Sequence, residues 1–143
     1  MCGISGLRNF DGAAVSPAVL ENMNSLLSHR GPDSNGVYRE GALGLGHTRL
    51  AILDTGDGGH QPMSYGDGRW WLTYNSEIYN FLELREELAA LGHRFKSGSA
   101  SEVLLAAYEE WGPACQTRFN GMWAFAIWDA KEKCSFCRAT ASA

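Results

Sequence analysis

The sequence predicts an α+β fold, because its strand-like and helix-like segments are grouped instead of alternating along the chain. Residues 4–53 contain several strand-like segments around one early helix, and two well-marked helices follow each other between residues 81 and 111. Such grouping favours layered antiparallel sheets over repeated strand–helix–strand units. The 143 residues, 45% of them hydrophobic, suffice for the core of one globular domain.

The first part of the chain is predicted to place short strands around one helix. Residues 4–10 have a strand pattern, and Ser16 followed by Pro17 marks the start of a helix that reaches about residue 27. The segments that follow are a hairpin at 37–39 and 43–47, a short strand at 49–53, a glycine-rich irregular stretch at 55–61 and an aromatic-rich strand at 69–74.

The second part begins with two helices that have clear start signals. Asn80 with Glu83, and Ser99 with Glu102, have the spacing of a capping box before apolar residues at helical intervals. Gly92 suits the end of the first of these helices. The chain then closes with a nearly continuous apolar strand at 122–128, a turn at 129–133 and a short final strand.

The composition argues against several classes of partner. The net charge is −4 and the Lys and Arg residues form no basic stripe, which argues against nucleic-acid binding. No apolar run is long enough to span a bilayer, and the N-terminus lacks the basic and apolar regions of a signal peptide. We therefore expect a cytoplasmic protein that binds neither nucleic acid nor membrane.

The second residue carries the strongest chemical signal. Removal of Met1 would leave Cys2 with both a thiol, which is an intrinsically strong nucleophile, and a free α-amine. An α-amine has an ordinary pKa of about 7.7–8.0, close to the range in which a general base works. Nucleophile and base would then belong to one residue. The opening alone is equally consistent with a cysteine that merely happens to be second.

The other cysteines are Cys115, Cys134 and Cys137, and in a reducing compartment we expect them to be free. Cys134 and Cys137 form a C-x-x-C pair, which could be half of a zinc site or a redox motif. A zinc site needs about four ligands, usually from two such pairs, and the sequence has neither a second pair nor grouped histidines. We therefore expect no metal site, and a small zinc-binding protein is the least favoured reading.

Polar motifs interrupt the structural segments throughout the chain, and each one alone is explained by turn chemistry or a solvated face. In chain order they are CGISG at 2–6, RGPD at 30–33, GHTRLAI at 46–52, QP at 61–62, YNSEIYN at 74–80 and NGMWAF at 120–125. Taken together they resemble the glutaminase domain of class II glutamine amidotransferases, which are N-terminal-nucleophile hydrolases. The forms at 30–33, 49–52 and 77–80 resemble most the asparagine synthetase branch.

This resemblance implies a fold and a reaction. The fold would be a four-layer αββα sandwich, with two antiparallel sheets between layers of helices. The Cys2 thiolate would attack the side-chain amide carbon of glutamine, its α-amine would carry the proton to departing ammonia, and water would release glutamate from the thioester. The Asn75 side chain and the backbone N–H of Ser76 would stabilise the oxyanion.

The resemblance also implies how glutamine would be held. Arg49, with its planar fork of donors, would bind the substrate α-carboxylate. Glu77 would help hold the α-ammonium group, and Ile52 and Ala100 occupy further substrate-binding positions. In the full enzymes the ammonia passes to a synthetase domain or subunit that amidates aspartate. ATP and Mg²⁺ are expected only there, so we expect no cofactor in this chain.

Two positions depart from the family pattern. Ser76 stands where the family has Gly; serine keeps the backbone N–H, but it adds a Cβ and is strained if φ is positive there. Ala100 stands where the family has Asp, the second anion for the substrate ammonium. A charge-assisted hydrogen bond contributes roughly 1.5–3 kcal/mol, so its loss predicts a roughly tenfold to hundredfold weaker affinity for glutamine.

The family's domain also continues beyond the point where this chain ends. We therefore expect residues 1–143 to be one glutaminase domain, truncated relative to the family, with an incomplete sandwich and no synthetase domain. A fragment, a frameshifted reading frame and a short relative all fit the sequence.

The predicted function is hydrolysis of glutamine to glutamate and ammonia, as the ammonia-supplying part of an asparagine synthetase-like enzyme. The alternative is a catalytically impaired domain that acts as a binding or interaction module, which Ser76 and Ala100 favour.

Overall fold

The computed structural model describes residues 1–51 and 57–140. In chain order the elements are β1 (Gly3–Arg8), α1 (Pro17–Leu26), β2 (Ser34–Glu40), β3 (Leu43–Arg49), a 3₁₀ helix at Asp57–Gly59, β4 (Met63–Tyr65), β5 (Trp70–Ile78), α2 (Phe81–Ala90), α3 (Ala100–Trp111), a 3₁₀ helix at Gly112–Arg118, β6 (Gly121–Asp129) and β7 (Cys134–Ala139). One antiparallel sheet has the order β1-β3-β2 and the other the order β4-β5-β6-β7.

The two sheets face each other across a small apolar cluster. Leu43 and Leu45 of β3 pack against Trp128 of β6. Tyr38 of β2 stacks on Trp71 of β5, with ring centroids 3.8 Å apart. Since burial of each large apolar side chain contributes roughly 1.5–3 kcal/mol, this cluster holds the sheets together face to face.

Helices cover the outer face of each sheet. On one side Leu20 of α1 packs so closely on β3 that a Cβ on Gly44 would lie 2.4 Å from its Cδ1. On the other side lies the larger core, where α2 contributes Leu84 and Leu88 and α3 contributes residues 103–107. The order helix, sheet, sheet, helix confirms the predicted α+β class and the αββα sandwich.

The predicted helices and strands are confirmed with shifted boundaries, except for one strand. β5 runs on through Asn75 and Ser76 to Ile78, although that dipeptide is also typical of a tight turn. The predicted strand at 49–53 is wrong where it can be compared. Arg49 ends β3 and residues 50–51 lie outside any strand, while residues 52–53 lie outside the described ranges.

The two predicted capping boxes are not equivalent. Ser99 caps α3, because its Oγ accepts a hydrogen bond from the Ser101 N–H at 3.1 Å. Glu102 does not complete that box, since its carboxylate accepts from two backbone N–H groups that precede Ser99. Asn80 occupies the N-cap position of α2 without any side-chain capping bond. Within the described ranges, no helix has the length and apolarity needed to cross a membrane.

Candidate active site

One cavity of about 210 Å³ collects residues from both sheets and from the start of α3. Its lining contains every described residue with a predicted role, namely Cys2, Arg49, Asn75, Ser76, Glu77 and Ala100. Ile52, the remaining predicted position, lies outside the described residues. Three larger cavities, of about 360, 520 and 590 Å³, contain none of these residues. Volume alone therefore does not locate the site, whereas the lining chemistry does.

Hydrogen bonds hold Cys2 at the wall of this cavity. The N–H of Gly3 donates to Thr48 Oγ1 at 3.2 Å, and Arg30 Nε donates to the Cys2 carbonyl at 3.2 Å. The backbone N–H of Leu50 donates to the Cys2 sulfur at 3.4 Å. The residue is therefore held through the sulfur, the carbonyl and the following N–H.

The RGPD loop at 30–33 joins Cys2 to the end of β3. Arg30 contacts the Cys2 carbonyl, and the Asp33 carboxylate accepts a hydrogen bond from the Ala51 N–H at 2.7 Å. Gly31 passes so close that a Cβ there would lie 2.2 Å from the Thr48 carbonyl oxygen. The motif is recognisable in the sequence, but no role for Arg30 or Asp33 was predicted from it. The structure shows that both residues position the site.

Two hydrogen bonds tie the sheets together beneath the cavity. Thr73 Oγ1 donates to the Gly46 carbonyl at 2.8 Å, and His47 Nε2 lies 3.2 Å from the Tyr74 carbonyl. His47 is only 1% exposed, and this burial lowers its pKa to about 4 despite the opposing effect of the Tyr74 bond. The ring is therefore neutral at pH 7, and Nε2 donates its hydrogen to Tyr74 as a structural tie.

Arg49 lies where β3 opens into the cavity. It is the last residue of that strand, and its guanidinium lies against Gly59. A Cβ on Gly59 would come 2.5 Å from Arg49 Nη2. The guanidinium thus occupies the space that a side chain at position 59 would need.

The consecutive residues of β5 divide between the two faces of its sheet. Because strand side chains alternate, Asn75 and Glu77 share the face of Thr73, which bonds to the opposite sheet. Ser76 shares the other face with Tyr74, toward the helices. β4 pairs only with residues 70–72, so beyond them one side of β5 has no strand neighbour among the described residues.

Ser76 adopts its place without the backbone strain that a left-handed conformation would impose. In the described ranges, the non-glycine residues with positive φ are Asp67 and Lys133. The expectation of a conformational cost at position 76 was conditional on a positive φ, and that condition is not met. The serine contributes a Cβ and a hydroxyl to the cavity.

The helix side of the cavity contains polar atoms without partners. Gln61 Nε2 donates to Ser101 Oγ at 3.2 Å, whereas Gln61 Oε1, the Tyr74 hydroxyl and Ser76 Oγ are buried and have no hydrogen-bond partner. Ala100, the first residue of α3, adds no charge to this side. Sequence reasoning missed Gln61 as a lining residue, since the QP motif alone does not show where its side chain lies.

The C-x-x-C pair lies away from this cavity. Cys134 and Cys137 are free and exposed on β7, and their spacing of three directs the side chains to opposite faces of the strand. Cys115 is buried, which raises the pKa of its thiol to about 12. In the part of the chain that the structure describes, no group of three or more His, Cys, Asp or Glu residues is arranged to hold a metal ion.

Comparison with known proteins identifies the family. A family model described as a glutamine amidotransferase domain matches residues 1–139. The chain belongs to this family. The predicted resemblance to glutamine amidotransferases is thereby confirmed.

Curated relatives place the chain within one branch of this glutamine amidotransferase family. The glutamine-hydrolyzing asparagine synthetase 1 of Bacillus subtilis is 42% identical over 135 residues, which are 92% of this chain and 21% of that protein. The glutamine-hydrolyzing asparagine synthetase of Triphysaria versicolor is 39% identical over 134 residues, which are 92% of this chain and 22% of that protein. The predicted asparagine synthetase type is confirmed, and the chain spans about a fifth of the length of these relatives.

A solved structure supports the fold. The glutamine phosphoribosylpyrophosphate amidotransferase of B. subtilis, complexed with ADP and GMP, matches with a TM-score of 0.72. The match covers 90% of this chain and 35% of that chain at 21% sequence identity. At this identity the match is evidence for the fold of a glutamine amidotransferase and for nothing finer.

Proposed function

We propose that this chain hydrolyses the side-chain amide of glutamine to glutamate and ammonia, with Cys2 as the nucleophile. One observation carries the proposal: Cys2, Arg49 and the β5 residues Asn75 and Glu77, which come from three separate segments, line a single small cavity. The family and its asparagine synthetase relatives support it. Ammonia would then pass to a synthetase domain or subunit, where ATP and Mg²⁺ act, so that residues 1–143 serve as one glutaminase domain.

The reaction begins once Met1 has been removed, because the Cys2 nitrogen is then an amine. That amine accepts the proton of the thiol, and the sulfur forms a bond to the carboxamide carbon. The carbonyl electron pair moves to oxygen. The Asn75 side-chain N–H and the Ser76 backbone N–H donate to this oxyanion, and each such donor contributes about 10²–10³ in rate. Asn75 makes no side-chain hydrogen bond to any described residue, so its donors are available for this role.

The second half of the reaction releases both products. The oxyanion collapses, the C–N bond breaks, and ammonia leaves with the proton that the α-ammonium returns. Water then adds to the thioester carbon, the C–S bond breaks, and glutamate leaves with the thiol restored. Arg49 holds the α-carboxylate throughout and Glu77 faces the α-ammonium, so the amide is presented to the sulfur in one orientation.

The test begins with the intact mass of the protein, which shows whether Met1 is absent. Glutamate release is then measured for the unaltered chain and for Cys2→Ala. We expect Cys2→Ala to lower the rate about a thousandfold or more, while Cys134→Ala, which changes an exposed cysteine outside the cavity, leaves it unchanged.

A diazo-oxo-norleucine label identifies the reacting residue directly. Mass spectrometry should place the label on Cys2. Glutamate release that persists in Cys2→Ala, or a label that avoids Cys2 at saturating dose, contradicts the proposal.

One observation favours a second function, that of a binding module. Ala100 leaves Glu77 as the one carboxylate among the described residues that line the cavity. A module of this kind would bind glutamine weakly and without turnover. Calorimetric binding of glutamine to the Met1-free protein, combined with no glutamate release, would establish the module and exclude the hydrolase.

A further inference from the structure

The chain that leads into α3 forms one side of the active-site cavity, and a carboxylate outside the cavity holds it there. Residues 98–101, called here the 98–101 segment, all line the cavity. Glu102 follows them directly but is not part of that lining. It is 5% exposed and contributes instead to the neighbouring cavity of about 520 Å³. Glu102 therefore lies outside the cavity in which we place the substrate.

Both oxygens of the Glu102 carboxylate bind the linker between α2 and α3. Oε1 accepts from the Lys96 N–H at 2.8 Å, and Oε2 accepts from the Ser97 N–H at 2.8 Å and from the Ser97 hydroxyl at 2.7 Å. Hydrogen bonds to an ionised acceptor are shorter and roughly twice as strong as those between neutral groups. One buried carboxylate thus fixes the backbone immediately before the 98–101 segment.

Further hydrogen bonds continue from Ser97 into the 98–101 segment. The Ser97 hydroxyl accepts from the Ser99 N–H at 3.2 Å, and Ser99 Oγ accepts from the Ser101 N–H at 3.1 Å. Ser101 Oγ in turn accepts from Gln61 Nε2 at 3.2 Å. A connected network of hydrogen bonds therefore joins Glu102 to Ser99, Ser101 and Gln61, which all line the cavity.

A separate set of hydrogen bonds holds the nucleophile. Arg30 and Leu50 bond to Cys2, and Thr48 bonds to the N–H of the next residue. None of these partners belongs to the α2–α3 linker or to α3. A change at Glu102 should therefore displace the cavity wall without displacing the sulfur, and such a change alters substrate affinity more than the chemical step.

We infer that Glu102 is a positioning residue for glutamine binding: from outside the cavity, its carboxylate holds the 98–101 segment in the place where it bounds the substrate. The inference rests on the proposed function for the identity of the substrate. Glu102→Gln keeps the shape of the side chain but offers one acceptor oxygen in place of two. The linker stays attached to α2 in this variant, because Arg85 Nη1 donates to the Ser97 carbonyl at 2.6 Å.

The first measurement is the dissociation constant of L-glutamine, obtained by calorimetry on the full chain with Cys2→Ala so that no turnover occurs. We expect Glu102→Gln to raise this constant roughly tenfold. Ser97→Ala removes one hydroxyl and keeps the backbone bonds to Glu102, so we expect a rise of roughly threefold. In the chain that retains Cys2, the KM should rise by the same factors while kcat stays within about twofold.

The second measurement is hydrogen–deuterium exchange of residues 96–101 in the protein without ligand, followed by mass spectrometry. Loss of a bond from the carboxylate should speed exchange in this segment in Glu102→Gln. Glu83→Gln is the matched control for both measurements, because Glu83 has the same place in the first turn of α2 but is exposed and outside the cavity. It should change neither glutamine binding nor exchange. Ser97→Ala supplies the test if Glu102→Gln does not fold.

Unchanged glutamine binding in both variants would overturn the inference, even where Cys2-dependent glutamate release is intact. Faster exchange without weaker binding would also overturn it, because Glu102 would then order the segment without positioning the substrate. A lower kcat at an unchanged KM would do the same. If the variants weaken glutamine binding but glutamate release is independent of Cys2, the proposed reaction fails and the positioning role stands.

Discussion

The sheet side and the helix side of the cavity differ in how fully their polar groups are hydrogen-bonded. On the sheet side, Cys2 is hydrogen-bonded through its sulfur and its carbonyl, and His47 is bonded across to Tyr74. On the helix side, Gln61 and Tyr74 keep buried polar atoms without partners. The fold therefore holds Cys2 in place, whereas buried atoms on the helix side have no hydrogen-bond partner among the described residues. We therefore expect substitutions on the sheet side to lower the free energy of unfolding, and substitutions on the helix side to alter the affinity for glutamine.

The largest effect is expected from Gly31→Ala on the sheet side. The new Cβ would lie 2.2 Å from the Thr48 carbonyl oxygen, so the loop that holds Cys2 must move. We expect a loss of about 3 kcal/mol in the free energy of unfolding, measured by urea titration. Gly98→Ala is the control, because a Cβ there has no atom within 4 Å. Equal losses in both variants would contradict this description of the sheet side.

A smaller effect is expected from pH through His47. Its pKa is lowered from 6.5 to about 4 by burial, so below pH 6.5 the unfolded chain takes up a proton that the folded chain does not. The contribution of His47 to stability is therefore full above pH 6.5 and is lost as the pH falls toward 4. Between pH 7.5 and pH 5, we expect the unaltered protein to lose about 2 kcal/mol more than His47→Gln.

Denaturant titrations at the two pH values provide this measurement for His47. The exposed His29 supplies the control, and His29→Gln should keep the pH dependence of the unaltered protein. A pH dependence that survives in His47→Gln would show that other groups carry it.

The smallest effect is expected on the helix side, from Ala100→Asp. A carboxylate in the cavity wall at position 100 should pair with the substrate ammonium and lower the apparent KM for glutamine roughly tenfold. Ala100→Asn has the same shape without the charge and should leave the KM nearly unchanged. Steady-state glutamate release measures both variants. An equal KM in the two would show that position 100 does not face the substrate ammonium.

Sequence patterns predicted the elements that depend on neighbouring residues, and missed those that depend on distant ones. Apolar spacing and Gly92 predicted α2 and its end, and Gly92 has the positive φ of 103° that suits this position. β4 was not predicted, because its three residues are a strand only through pairing with β5. Asn80 has the residue type and spacing of a cap but makes no capping bond. The helix formed although its predicted cap did not.

The sequence predicted which residues line the site, but it did not predict the hydrogen bonds that position them. Cys2, Arg49 and Asn75 were identified from motifs, and the structure brings them to one cavity; their roles stay predictions. Gln61 and Arg30 belong to motifs too, yet their importance depends on distant partners at 101 and 2. Contacts between residues so far apart in sequence leave no periodic signal in a single chain.

The absence of a side chain at Gly59 leaves room for the Arg49 guanidinium. Because a Cβ there would lie 2.5 Å from Arg49 Nη2, we expect each larger residue introduced at 59 to displace the Arg49 guanidinium further. A saturation library at this position would therefore record changes in substrate selectivity at a residue that has no side chain of its own.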